Sequence, residues 1–325
     1  MAGLGGGPTW QRRDASPIDP TRPLTCLFVP VSDEIPEDAL IARLAQTLGK
    51  GAPPEVWIGD DSAVLVPPDG LLLLATDAVV AGVHCDLTLA GLDDLGWKAM
   101  AVNLSDIAAM GGIPHRAVVS VAAPGGTDLN LLYRGIVEAS VTFACPVVGG
   151  DLSGTPGPLV VSVAVTGSAA RPVLRSGACP GDLIFVTGPL GASAAGLAAL
   201  RQGAPRDGAN VRAHLRPVPR LALGAQVAAG GATAMIDVSD GFALDLHRLA
   251  DASEVGFELD DVPVAEGATA EQALGGGEDY QLIVVLPASV EPPPGLVEVG
   301  RCVGDPARRL LGGEPLARTG WQHRI

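Results

Sequence analysis

The side chains best suited to chemistry in this chain are aspartates set singly or in pairs among glycines and small apolar residues. They stand at Gly59-Asp60-Asp61, Thr76-Asp77, Asn103-Leu104-Ser105-Asp106, Gly149-Gly150-Asp151, Asp237-Val238-Ser239-Asp240-Gly241 and Gly276-Gly277-Glu278-Asp279. Solvated faces carry acids interleaved with lysine, arginine and glutamine. Acids beside glycine, with almost no lysine near, resemble oxygen ligands for a hard cation. Several follow a run of β-branched residues or leucine, which predicts that they surface at the ends of buried strands. Two carboxylates about 4 Å apart repel by roughly 4 kcal/mol at an effective dielectric of about 20, so a cluster of them needs protons or metal ions. Mg²⁺ takes one or two carboxylates and completes its shell with water and substrate phosphates, and phosphoryl transfer uses such ions to neutralise charge as it moves. Each acid taken singly also has a bland explanation: Ser239 or Asp240, at a strand-to-helix junction, serves equally well as an N-cap.

Other phosphate-handling and nucleophilic motifs are missing. Gly191-Ala-Ser-Ala-Ala-Gly196 has the glycine spacing of a phosphate loop, but Leu197-Ala198 stands where Lys-Ser/Thr is required. Its glycines are explained by close helix–strand packing. There is no G-x-S-x-G elbow and no local Cys–His arrangement. His84, in Gly82-Val83-His84, is a lone histidine, a type more often structural than functional.

The elements that must position these acids read as follows. Apolar spacing at Leu40, Ile41, Leu44 and Leu48 predicts a helix over 36–48, closed by Gly51 and Pro53. Strand-like runs follow at 56–58 and 71–75. A helix starting at Asp93 or Asp94, capped by an acid, runs to Met110 and ends at Gly111-Gly112. Asn103 and Asp106 are three apart and share one of its faces. Then come strand 118–121, helix 129–143, a short apolar run at 147–148 and strand 159–166. An irregular Arg-, Pro- and Gly-rich stretch over 168–180 is the best domain boundary. A second set follows: strand 183–187, helices 192–200 and 218–229, strand 235–236, helix 242–252, strand 256–259, helix 265–274 and strand 281–286. This predicts an α/β (α+β) chain of two α/β domains, 35–168 and 169–325, behind a disordered extension over 1–34.

Composition narrows the function classes. The chain has 325 residues and 47% hydrophobic content, with no apolar run reaching the roughly 20 residues of a membrane span. Net charge is −15, Lys50 and Lys98 are the only lysines, and aromatics make up 3%; nucleic-acid binding needs the opposite balance. Five scattered cysteines without C-x-x-C fit a reducing cytosol, and the apolar surroundings of Cys85, Cys145 and Cys179 predict buried thiols. Arg12-Arg13 before the apolar patch at 24–31 superficially resembles an export signal, but Pro30 breaks the patch and no small-residue cleavage site follows.

Taken together and in order, these segments resemble the thiamine-monophosphate kinase family, within the superfamily that includes aminoimidazole ribonucleotide synthetase. The matching residues are Ile58-Gly-Asp-Asp-Ser62, Ala75-Thr-Asp77, Ala81-Gly82-Val83-His84, the run from Gly96 to Ile107, Val148-Gly-Gly-Asp151, Met235-Ile-Asp-Val-Ser-Asp-Gly241, Gly276-Gly-Glu-Asp-Tyr-Gln-Leu282 and Gly320-Trp321-x-His323. The resemblance implies ATP-dependent phosphorylation of thiamine monophosphate with several Mg²⁺ ions, in a cytoplasmic homodimer joined through its N-terminal halves. It places Asp61, Thr76, Asp77, Asp106, Asp151, Asp237 and Asp240 on metal. Tyr133, Gly150, Asp151, Arg175 and Ser239 would contact ATP. His84, Glu278 or Asp279, and Trp321 would meet the acceptor. No residue is needed as acid or base, because the acceptor is itself a phosphate. The family's glutamate beside the histidine is Ala81 here, its common hydroxyl residue is Ala75, and Phe242 replaces a frequent leucine. Other superfamily enzymes, such as a purine-precursor ligase or a selenophosphate synthetase, and a non-catalytic nucleotide or metal sensor are the competing expectations. The selenophosphate enzyme needs a reactive Cys or Sec beside a lysine near the N-terminus, and no lysine is found there.

Overall fold

A computed structural model describes residues 37–58 and 62–322. The 1–34 extension, Asp61 and the closing His323 lie outside the described residues.

The N-terminal half contains α1 (Glu37–Leu48), β1 (Leu71–Val80), α2 (Leu92–Ala109), β2 (Ile113–Ala123), α3 (Leu129–Thr142), β3 (Val147–Gly154) and β4 (Val160–Ala169). Its four strands run in the order β1-β4-β2-β3, antiparallel except for the parallel β2–β3 pair. Alternation decides which face is covered. Leu73 and Val79 of β1, Val119 and Val121 of β2, and Val161, Val163 and Val165 of β4 turn inward and are buried. Leu72, Leu74 and Val118 turn the other way and are exposed.

The C-terminal half holds β5 (Leu183–Val186), α4 (Ala192–Arg201), α5 (Ala209–Leu215), α6 (Leu221–Ala229), β6 (Ala234–Asp237) and α7 (Phe242–Ser253). It continues with β7 (Gly256–Leu259), α8 (Ala270–Gly275), β8 (Leu282–Leu286), β9 (Val297–Val303), β10 (Arg309–Leu311) and β11 (Glu314–Pro315). Its seven-stranded sheet has the order β11-β10-β7-β9-β5-β8-β6. The short strands β5, β8 and β6, which make up one end of this sheet, read Leu-Ile-Phe-Val, Leu-Ile-Val-Val-Leu and Ala-Met-Ile-Asp, apolar on both sides because both faces are covered.

The helix α2 joins the halves. Fourteen of its eighteen residues are buried, as expected of a helix apolar on all sides. Leu95, Met100, Leu104 and Ile107 belong to the N-terminal core, while Ala108 and Ala109 pack with Met235, Leu282 and Val284. Helix α3 crosses it closely at Gly135, where any side chain would run into the Asp93 backbone. The expected start at Asp93 or Asp94 is corrected slightly. Gly91 caps the helix, and Asp94 in the first turn accepts from the Gly91 N–H at 3.0 Å.

The expectation that the acids sit at strand ends holds for Asp237 alone among the strand residues. Asp77 lies inside β1 and Asp151 inside β3, while Asp106 lies in α2. These two strands are edges, so an acid can interrupt their hydrophobic pattern without entering the core. Of the three thiols expected to be buried, Cys85 and Cys145 are, whereas Cys179, in the stretch between the halves, is exposed.

A second tie joins the halves at Arg216, just beyond α5. Its guanidinium bonds Asp94 (2.8 Å), Asp93 (2.7 Å) and Glu138 (2.6 Å) and lies 5.6 Å from the Trp97 ring centre. The Trp97 indole donates to the Pro217 carbonyl at 2.8 Å. Arg216→Ala removes the cation shared by three carboxylates, of which the buried Asp94 keeps Arg206. The expected cost, discounted for the partial exposure of Arg216, is about 2 kcal/mol. Urea unfolding measures it, and an unchanged midpoint would show that Arg216 is not a tie.

Candidate active site

Four side chains of α2 point the site into place. Asn103 accepts from the Asp77 N–H at 2.8 Å and donates to the Ala99 carbonyl at 2.9 Å. Ser105, fully buried, donates to Asp237 Oδ2 at 2.7 Å. Lys98 reaches Glu278 at 2.9 Å. Asp106, one turn beyond Asn103, completes the set. A single helix thereby registers β1 of one half against β6 and the Gly276–Tyr280 loop of the other.

The acids act on one another. Burial, then the charges of Asp237 and Asp77, push Asp106 up to about 7 against the pull of Arg175. Asp237 is raised by its own burial, with the Ser105 hydrogen bond and Arg175 opposing and Asp77 adding to the rise. Asp77, Asp106, Asp237 and Arg175 therefore share one electrostatic field. Three acids with one guanidinium make a site short of positive charge. Among the described residues no three of His, Cys, Asp or Glu are close enough to clasp an ion by themselves.

The remaining metal expectations are placed differently. Thr76 donates its hydroxyl to the Val163 carbonyl at 2.9 Å. Asp240 is bound by Arg248 at 2.5 Å, and Arg248 also holds Asp245 at 2.7 Å. Asp245 accepts from the backbone N–H groups of Asp240 and Gly241, just before α7, and the N-cap of α7 is Gly241 with no side-chain cap bond, not Ser239 or Asp240. Asp151 lies on the edge strand β3, opposite Ser120, and accepts from Ser153 at 3.1 Å.

Among the nucleotide expectations, Arg175 is exposed beside the acids, as its effect on Asp106 and Asp237 requires. Tyr133 is buried in α3 and its hydroxyl is raised by burial and by the Asp151 charge, which puts these two within mutual reach. Gly150 runs so near the Val119 carbonyl that no side chain fits there. Ser239 offers its carbonyl to the Glu278 N–H at 2.8 Å.

On the acceptor side, the Val80 N–H donates to His84 Nδ1 at 3.0 Å, which leaves the proton of the neutral ring on Nε2. Glu278 lies beside the Asp237–Gly241 segment, since its N–H bonds Ser239 and the Trp321 N–H bonds the Asp240 carbonyl at 2.8 Å. Trp321 itself is 54% exposed. Asp279 is otherwise engaged: its two oxygens accept from Gly191 (2.5 Å) and Ser193 (3.0 Å) at the start of α4. Between Glu278 and Asp279, geometry leaves Glu278 open. Lys98 and Ser105 were given no role by sequence reasoning, although Lys98 is one of two lysines and both lie inside a quoted motif.

Two family models match: AIR synthase related protein, N-terminal domain, over residues 59–169, and AIR synthase related protein, C-terminal domain, over 179–292. A thiamine-monophosphate kinase of Rhodopirellula baltica is 37% identical over 294 residues, covering 83% of this chain and 86% of that protein. The chain belongs to the thiamine-monophosphate kinase family. A crystal structure of the family member from Stenotrophomonas maltophilia K279a superposes with a TM-score of 0.75 at 31% identity, covering 86% of this chain and 98% of that one. Another family structure, described as AaThiL complexed with AMPPCP and TMP, gives a TM-score of 0.73 at 33% identity over 89% of this chain and 97% of its own. The two-half α/β architecture and the order of motifs are thus those of the family.

Proposed function

We propose that the chain transfers the terminal phosphoryl group of ATP to the phosphate of thiamine monophosphate, giving ADP and thiamine diphosphate, the last step in making that cofactor. The observation that carries this reading is the field shared by Asp77, Asp106, Asp237 and Arg175, set by α2 in a chain of this family. A phosphate oxygen of the acceptor bonds to the γ-phosphorus as the bond to the β–γ bridging oxygen breaks. The acceptor oxygen is already anionic, so no general base is required. Bound Mg²⁺ would neutralise charge on the transferring phosphates, held by Asp77, Asp106 and Asp237, with Asp61, Asp151, Asp240 and Thr76 as further ligands. Arg175, Tyr133, Gly150 and Ser239 would seat the nucleotide, and His84, Glu278 and Trp321 the acceptor, the indole stacking on its cationic ring. In this reading residues 35–168 form the metal, ATP and dimerisation half, and 169–325 complete the site.

Two finer points belong to the same reading. Among the described residues no helix is long and apolar enough to cross a membrane, which supports a cytoplasmic enzyme. The open face of the N-terminal sheet supports a homodimer. Leu72, Leu74, Ala78 and Val118 lie there, and among the described residues no helix or strand packs on them. The turn around Glu55 and Trp57 reaches that face at Arg116.

Formation of ADP and thiamine diphosphate from ATP, Mg²⁺ and thiamine monophosphate tests the proposal, with thiamine and other phosphate monoesters as controls. Nucleotide binding without turnover would favour a sensor instead. Arg175→Met is expected to raise the KM for ATP about tenfold, the loss of one charge-assisted bond, with little change for the acceptor. Steady-state kinetics with each substrate varied in turn check this.

A further inference from the structure

Lys98 is buried to 2% exposure, yet it is an ammonium in a chain that uses lysine only twice. A buried charge is costly to desolvate, and replacing a buried ion pair with well-packed apolar residues is often neutral or stabilising. Stability alone therefore does not account for a lysine here. Its partners do. The ammonium donates to Glu278 Oε1 at 2.9 Å and to the His84 carbonyl at 3.4 Å. These are the two polar acceptor-side residues of the proposed site, 194 positions apart in the chain (278 − 84) and contributed by different halves.

The other Glu278 oxygen faces a histidine. His214 Nδ1, in α5, lies 3.5 Å from Glu278 Oε2 and 3.0 Å from Ser193 Oγ. Burial, Lys98 and Arg201 push His214 down to about 3, so the ring is neutral. Glu278 and Tyr280 both carry a positive φ, 65° and 47°, a backbone state that non-glycine residues keep only where the surroundings over-determine it. The carboxylate is thus fixed at Oε1 by Lys98 and by its own backbone, while 27% of its side chain stays accessible to solvent.

We infer that Lys98 is a positioning residue for the acceptor site: from α2 it locks the Glu278 carboxylate and the His84 segment into one preformed pocket for a cationic phosphate monoester. The inference rests on the kinase reading and adds to it a residue that touches neither substrate. A group that acts through Glu278 must change acceptor recognition selectively, and its effect must vanish when Glu278 can no longer answer.

The test is steady-state kinetics on Lys98→Met, Glu278→Gln and the double variant, with thermal unfolding and AMPPCP binding measured on each full-length protein. Lys98→Met is expected to raise the KM for thiamine monophosphate by at least about tenfold and leave the KM for ATP within about twofold. In the Glu278→Gln background the same change should add less than about twofold. If Lys98→Met does not fold, Lys98→Gln keeps a donor to Glu278 without the buried charge and should show the same selective rise, reduced in size. An unchanged acceptor KM in the folded variants, an equal rise for both substrates, or fully multiplying effects in the double variant would each overturn the inference. A wild-type chain that turns over no thiamine monophosphate sinks the kinase reading, and this inference with it. Wild-type turnover with unaltered acceptor KM in the variants sinks only the role of Lys98.

Discussion

Asp106→Asn is expected to lower kcat by about a thousandfold or more while leaving the apo protein at least as stable as the wild type. The two halves of this result have one cause. The Asp106 carboxylate lies beside two other acids, is raised to about 7, and has only Arg175 to oppose the repulsion. Removing its charge relieves the folded state, since neutral asparagine fits the same space. In the proposed reading it also removes an oxygen ligand from the field that would hold Mg²⁺ against the phosphates. In phosphoryl transfer nearly all catalysis is positioning and charge neutralisation, so a lost ligand falls mainly on kcat. Wild-type protein should gain thermal stability on adding Mg²⁺, and Asp106→Asn should lose most of that gain. Asp240 offers the contrast. It is already paired with Arg248, so Asp240→Asn should lower stability where Asp106→Asn does not. Full activity in Asp106→Asn would refute the metal assignment outright.

What could be read from the sequence was local. The i,i+3 spacing of Asn103 and Asp106 depends only on helical geometry, and the run around them is long and periodic enough to declare a helix. The strand ending at Asp237 is equally plain, because an apolar run meets a Val-Ser-Asp-Gly break. Where the reading failed, the deciding contact was distant or hidden. β1 continues past Ala75 through Thr76-Asp77 because β4 pairs with it residue by residue to Val80, a tertiary effect that a polar pair inside a run conceals. Helix α5 has only seven residues and owes its place to Val211 and Leu215 packing in the N-terminal core. Neither Ser239 nor Asp240 caps α7, because Gly241, with a φ of 130°, takes the N-cap position, and the later acid Asp245 reaches back to the Asp240 and Gly241 N–H groups. The pairing of Lys98 with Glu278 spans 180 positions, and no periodicity encodes it.

Leu74→Glu is expected to convert the proposed homodimer to monomers and to abolish turnover without unfolding the protomer. Leu74 is 72% exposed and shares the open face with Leu72 and Val118, at 60% and 41%. Because it touches little within its own chain, glutamate there costs the protomer almost nothing. In a two-fold contact the same residue enters twice, so two carboxylates would be buried in an apolar seam at several kcal/mol each, a loosening of about a thousandfold or more. The link to activity comes from strand order. Asp77 lies on β1 and Asp151 on β3, at opposite edges of the four-stranded sheet and therefore about 14 Å apart, three strand spacings. Within one protomer Asp151 is too far away to share an ion with Asp77, Asp106 and Asp237. A second copy laid on the open face can bring its own β3 edge towards the first copy's β1 edge, so that each site draws on both chains. Sedimentation at graded concentration, run beside the kinase assay, separates the possibilities. A monomeric Leu74→Glu with undiminished kcat would mean that one chain is sufficient and that Asp151 serves elsewhere. A variant that remains dimeric would move the interface off this sheet.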